Sequence, residues 1–223
     1  MRKEKKILLF SDLEGTILRE NDGKYDKEAM YNFLSQIDKL QQLTDSDVHI
    51  HLVSPVQREQ MEQIMDEIDD DIVRYNQLRS FSDRIPMIEC GSFLPDKGMY
   101  EQEFLGDRAI PLKVPIDSNQ FDTARYGKAN YVKTWCEIYE ERGQLIMPIY
   151  CGNGRNDLSA MECVKEKNGF VVCPNNSRAS AKEKADFVSN KTDLQGITEG
   201  IEKINEKIEQ RVSPKAKDEK TKQ

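Results

Sequence analysis

The stretch Ile7-Leu8-Leu9-Phe10-Ser11-Asp12-Leu13-Glu14-Gly15-Thr16 decides how the rest of the chain is read. Its apolar run suits a strand buried on both faces of a parallel sheet. Two carboxylates two positions apart at the end of such a strand, with a glycine turn behind them, are costly to desolvate and point to chemistry rather than stability. The same residue types also make an ordinary strand-to-loop exit, so the meaning of this stretch depends on what lies downstream.

Downstream, strand-like and helix-like segments alternate. Met30, Phe33, Leu34, Ile37, Leu40 and Leu43 recur at helical spacing, 48–53 reads as a second strand, and Met61, Ile64, Met65, Ile68 and Ile72 mark a second amphipathic helix. Residues 86–90 predict a third strand closed by Gly91, and 92–127 carry no strong helical period. Val132, Trp135, Cys136 and Tyr139 define a helix that Lys128 opens and that stops near Gly143. Strands are expected at 146–151 and 169–173 with a helix between them, and Ile197, Ile201, Ile204 and Ile208 form a last helical stripe. This rhythm predicts an α/β fold, a Rossmann-like doubly wound, mostly parallel sheet with its site at the carboxyl ends of the strands.

Composition narrows the function classes. The 223 residues, 37% of them hydrophobic, can supply a sizeable core. With 33 basic and 40 acidic residues the net charge is -7, which argues against a nucleic-acid or anionic-membrane partner. No run approaches the roughly 18 apolar residues of a membrane span, and the basic start 1–6 leads into too few apolar residues for a signal peptide, so a cytoplasmic protein is expected. The five cysteines are widely spaced and read as small buried hydrophobes. His49 and His51 face one side of their strand, compatible with a metal pair but lacking a third ligand nearby, so a structural role is expected.

Three more pieces fall in order after Asp12-Leu13-Glu14-Gly15-Thr16: Ser54 at the end of the second strand, Lys128, and Gly152-Asn153-Gly154-Arg155-Asn156-Asp157 after the strand at 146–151. Together they resemble the four motifs of the haloacid dehalogenase-like phosphatases, and the stretch 168–189 is similar to the ending of Cof-like and phosphoglycolate-phosphatase-like members. The resemblance implies a Mg²⁺-dependent phosphomonoester hydrolase working through an aspartyl-phosphate, on a sugar phosphate or similar small phosphorylated metabolite. Asp12 would be the nucleophile and Glu14 the general acid and base, and Ser54, Gly15 and Lys128 would bind the phosphoryl group. Asp12, Glu14, Asn153 and Asp157 would hold the metal. Ser54 also reads as a helix N-cap before Pro55, and Lys133 is a rival for Lys128.

Two departures matter. Most of the family carries Asp at the position of Glu14, although the enolase-phosphatase branch has a similar DxEGT. The Cof-like pattern GDGxND has Asp where this chain has Asn153, which removes one negative charge from the metal site. A fold-retaining binding protein with impaired turnover is therefore an alternative, and a phosphatase of a macromolecule is another. Residues 1–91 and 127–212 form the expected core domain, and 92–126 a reduced cap insertion. That insertion is short for a domain, so its apolar residues either pack on the sheet as a β-hairpin extension or make a homo-oligomer contact that roofs the site. The charged tail 213–223 is expected to be disordered.

Overall fold

The computed structural model describes residues 5–54, 56, 58–77, 84–88, 90–92, 103–105, 108–110 and 120–212. The chain runs β1 (Lys5–Ser11), α1 (Lys27–Thr44), β2 (Asp47–Val53), α2 (Arg58–Asn76), β3 (Cys90–Ser92), β4 (Glu103–Leu105), β5 (Arg108–Ile110) and α3 (Gln120–Glu141). It continues with β6 (Leu145–Cys151), a 3₁₀ turn at Arg155–Asp157, α4 (Leu158–Glu166), β7 (Phe170–Cys173), α5 (Ala179–Lys182), β8 (Phe187–Val188) and α6 (Asp193–Val212).

Six strands form one sheet in the order β3-β2-β1-β6-β7-β8, and every pairing in it is parallel. The expected doubly wound α/β architecture is the one observed. The winding reverses between β1 and β6, and a sheet of this kind opens its binding crevice at that switch, beyond the carboxyl ends of the strands. Ser11 pairs with Leu52 on one side and Cys151 on the other, so Asp12, Ser54 and Gly152, which follow the ends of β1, β2 and β6, all leave the sheet along the same edge.

The apolar run of β1 is buried on both faces, as its sequence requires. Ile7 and Leu9 pack with α1, α2 and α6, whereas Leu8 and Phe10 pack with α3 and α4. All four are fully buried, each stabilising the fold by about 1.5–3 kcal/mol relative to exposure. The stripe residues Met30, Phe33, Leu34, Ile37 and Leu40 of α1 are buried as expected, as are Ile197, Ile201 and Ile204 of α6. Asp26 caps α1 by accepting bonds from the N–H groups of Glu28 and Ala29.

Two expectations need correction. The third strand lies at Cys90–Ser92, not at 86–90. The Asn76 side chain bonds both the N–H and the carbonyl of Ile85, and Asp69 Oδ1 accepts from the Ile88 N–H at 2.8 Å. Asn76 thus holds the chain just before the expected strand, and Asp69 takes the Ile88 N–H that a sheet ladder there would have used. The helix carrying Lys128 begins at Gln120, so Lys128 lies well inside it and does not open it. Strand β8 was not expected; its two residues are too short for a periodic signal.

Of the insertion, β4 and β5 pair as an antiparallel hairpin outside the main sheet. Most of 92–126, and all of the tail 213–223, lie outside the described residues, as does the side chain of Cys90. Cys136, Cys151 and Cys173 are buried and Cys163 is half-buried, each as a free thiol. His49 and His51 both meet α3: Tyr139 lies 3.3 Å from His49 Nδ1 and Tyr131 lies 3.3 Å from His51 Nδ1. His51 also stacks on Phe10. Among the described residues no helix is long and apolar enough to cross a membrane.

Candidate active site

The carboxyl edge of β1 and β6 brings Asp12, Lys128 and Asp157 together. Lys128 projects from α3 into the space between the two strand ends and is 1% exposed. Its Nζ lies 2.8 Å from Asp12 Oδ1 and 2.7 Å from Asp157 Oδ1. One ammonium between two buried carboxylates makes a triad with one excess negative charge. Burial alone would lower the Lys128 pKa, but the two carboxylates outweigh it and raise it. Burial, then the charge of Asp157, push Asp12 up to about 7 against the opposing pull of Lys128. Lys133, the rival, sits on the outer face of α3 with its side chain 63% exposed.

Asp12 is held in place by the backbone. Its N–H continues the β1–β6 ladder to the Cys151 carbonyl at 2.9 Å, and its Oδ1 accepts from the Leu13 N–H at 2.8 Å. Oδ2 carries no hydrogen bond among the described residues, and Asp12 lines a cleft of about 710 Å³ together with Glu14, Asn153, Asn176 and Arg178. Asp12 and Glu14 thus line the same cleft, and a turn rather than an extended chain brings them there. After Leu13 the chain folds back, with the Gly15 N–H donating to the Leu18 carbonyl at 2.7 Å.

That bond changes the reading of Gly15. Its N–H is engaged within the turn and is not offered to a phosphoryl group. What Gly15 supplies is conformation and room: its φ is +66°, and a Cβ there would stand 2.2 Å from Asn153 Nδ2. Asn176 fastens the same turn, donating to the Gly15 carbonyl at 2.9 Å and to Asp193 Oδ1 at 3.0 Å. Sequence reading gave Asn176 no role, since nothing local to it signals a contact with the first strand.

Asp157 departs most from its expected part as a metal ligand. Oδ1 accepts from Lys128 and, at 2.8 Å, from the Tyr150 hydroxyl; Oδ2 accepts from the N–H groups of Asn153 at 3.0 Å and Gly154 at 2.8 Å. The residue is fully buried and does not line the cleft. With both oxygens doubly engaged, it anchors Lys128 and the turn after β6 and has no oxygen left for a cation. Tyr150 was also missed, although a phenol in a buried apolar strand must find a partner for its hydroxyl.

Ser54 stands at the same edge, 1% exposed, with an Oγ that finds no hydrogen-bond partner among the described residues. Among the described residues it caps no backbone N–H, and an orphaned buried hydroxyl at a strand edge is what a bound anion would satisfy. Asp12, Glu14 and Asn153 line the cleft along with Glu20, Asn156, Asn176 and Ser177, and no group of three or more His, Cys, Asp or Glu side chains gathers to hold a metal among the described residues. Carboxylate and amide oxygens are the donor type that Mg²⁺ takes, since it keeps several waters and shares ligands with a substrate phosphate.

No protein-family model matches the sequence, and no curated protein matches it. Solved structures do resemble it. The haloacid dehalogenase-like hydrolase protein yhjK from Bacillus subtilis is 16% identical with a TM-score of 0.47, covering 92% of this chain and 90% of that one. The 3-deoxy-D-manno-octulosonate 8-phosphate phosphatase from Moraxella catarrhalis, in complex with magnesium ion, phosphate ion and KDO, is 12% identical with a TM-score of 0.44, again covering 92% and 90%. The cobalt-bound deoxy-D-mannose-octulosonate 8-phosphate phosphatase from Haemophilus influenzae is 12% identical with a TM-score of 0.44, covering 93% and 90%.

Proposed function

We propose that the chain is a phosphomonoester hydrolase of the haloacid dehalogenase-like type, nearest the Cof-like branch by its motifs, and that it acts through an aspartyl-phosphate at Asp12. The observation that carries this reading is the buried ammonium of Lys128 shared between Asp12 and Asp157 at the switch point of the sheet. A carboxylate nucleophile attacking a phosphate dianion needs fixed positive charge beside it, and a fully buried lysine is a costly way to stabilise a fold.

In this mechanism Asp12 attacks phosphorus through Oδ2, and the bond from phosphorus to the leaving oxygen breaks as Glu14 protonates that oxygen. Glu14, now ionised, takes a proton from water, which attacks the phosphorus and returns Asp12 and inorganic phosphate. Lys128 keeps Asp12 oriented and offsets the charge that gathers on the transferring group, and the Ser54 hydroxyl donates to one of its oxygens. Asp12, Asn153 and the backbone carbonyl of Glu14 would hold Mg²⁺, which supplies charge neutralisation of the phosphate dianion when bound.

A sugar phosphate or similar small metabolite is the proposed substrate class, carried by the motif resemblance and consistent with a cleft of about 710 Å³, much larger than a phosphate alone. Residues 92–126 are proposed as the cap that selects it. Asn153 in place of a carboxylate favours one second reading, a binding protein that keeps the fold without turnover. Hydrolysis of an aryl phosphate with and without Mg²⁺, followed by a panel of phosphorylated metabolites, separates the two. Turnover that requires Mg²⁺ and is lost in Asp12→Asn supports the phosphatase, whereas Mg²⁺ or phosphate binding without turnover supports the binding protein.

A further inference from the structure

We infer that Tyr150 is a positioning residue that keeps the Lys128 ammonium shared with Asp12 by occupying part of Asp157 Oδ1. The phenol has this role only if Asp12 is the nucleophile, so it rests on the phosphatase reading above.

Asp157 does not need Tyr150 to be satisfied. Two backbone N–H groups fill Oδ2, and Lys128 alone would leave Oδ1 paired. The hydroxyl is a second donor on the very oxygen that Lys128 uses, at 2.8 Å against 2.7 Å. Two donors on one oxygen divide its lone pairs and spread its charge, so the ammonium is drawn less strongly to Asp157 and retains its 2.8 Å contact with Asp12. Burial, with Asp157 second, raises the phenol pKa well above its usual value, so the hydroxyl keeps its proton as a donor.

The surroundings are shaped for this contact. Tyr150 is fully buried on β6, and phenylalanine would fill the same apolar space. Gly152 lies between the ring and the acid: a Cβ there would stand 2.7 Å from Tyr150 Cε1 and 2.8 Å from Asp157 Cγ. The turn after β6 therefore has a glycine where any side chain would separate the phenol from its acceptor.

Tyr150→Phe tests the role. Against an aryl phosphate at saturating Mg²⁺, kcat is expected to fall roughly tenfold with KM changed by less than about twofold, a split that general loosening of the core does not produce. In the double variant Tyr150→Phe/Asp157→Asn, kcat is expected to equal that of Asp157→Asn alone, because the phenol acts only through Asp157. Independent losses that multiply in the double variant overturn the inference, as does an unchanged kcat in Tyr150→Phe.

A readout free of turnover separates this inference from the phosphatase reading. In ¹⁵N-lysine-labelled protein, the Lys128 Nζ resonance is expected to move in Tyr150→Phe, and an unmoved resonance overturns the role of the phenol even if hydrolysis is robust. A shifted resonance in a protein that hydrolyses no phosphomonoester refutes the catalytic role and leaves only the contact. If the Tyr150→Phe variant folds poorly, wild-type sequence grown with 3-fluorotyrosine, a stronger phenol donor, must shift the same resonance, and no shift overturns the inference.

Discussion

Lys128 reaches Asp12 across the switch point of the sheet, its Nζ 2.8 Å from Oδ1, with both side chains at least 95% buried. The pair joins the middle of α3 to the end of β1. It engages Oδ1 with the ammonium and leaves Oδ2 without a hydrogen bond among the described residues, and most of the chain's expected behaviour follows from that division.

On the proposed mechanism Asp12→Asn should abolish turnover, because it removes the oxygen that would form the aspartyl-phosphate. It should also change stability with a definite sign. Between the ordinary carboxyl value of 3.8 and about 7 the folded chain holds the Asp12 proton and the unfolded chain does not. The folded state binding more protons means that this site's contribution to stability falls as pH rises through that window. In metal-free protein the Asp12→Asn variant should therefore melt about 3 °C or more above its parent at pH 8, with the gap closing toward pH 4. A melting series across pH checks this, and a gap independent of pH refutes the buried, excess-negative triad.

Lys128→Met removes the cation and leaves two carboxylates buried together. Breaking a buried ion pair from one side costs about 3–5 kcal/mol, and denaturant unfolding is expected to show a loss of that size. A loss below about 1 kcal/mol, the range of exposed ion pairs, would mean that Lys128 is solvated and does not hold Asp12.

Ser54→Ala discriminates between the two readings of that hydroxyl. Because Oγ has no partner to lose among the described residues, stability should stay within about 0.5 kcal/mol of the parent, whereas loss of an N-cap costs about 1 kcal/mol. Turnover should drop roughly a hundredfold, the loss typical of removing a donor to the reacting group. Unfolding and steady-state kinetics on the same preparation settle both halves.

Asn153→Asp adds a carboxylate where the metal is proposed to bind. Calorimetric titration should show Mg²⁺ binding tightened by roughly tenfold, since affinity follows ligand charge. Unchanged affinity would place Asn153 away from the cation.

Gly15→Ala imposes a side chain on a residue with φ of +66° and drives its Cβ to within 2.2 Å of Asn153 Nδ2. The backbone strain should cost roughly 1–2 kcal/mol. The displaced Asn153 should also weaken Mg²⁺ binding, which the same calorimetry reads. Full stability in this variant would show that the turn relaxes to another conformation.

Much of the molecule was legible before any coordinates. Unbroken apolar runs such as 7–10 announce strands buried on both faces, and three-to-four spacing announces helices, because both signals are local and arise from which side of an element meets the core. The parallel sheet follows from their alternation, and so does the placing of Asp12, Ser54 and the glycine turn at 152–154 on one edge. What local pattern cannot express is how a donor's or acceptor's capacity is divided among residues far apart in the chain. Asp157 looked like a metal ligand until Lys128, Tyr150 and two backbone N–H groups were seen to fill both its oxygens. Gly15 looked like a phosphate contact until its N–H was found closed within its own turn, and 86–90 looked like a strand until Asp69 of α2 took the Ile88 N–H. Each of these was decided by tertiary packing, because a buried polar group must be paired and only the assembled fold determines which partner arrives first.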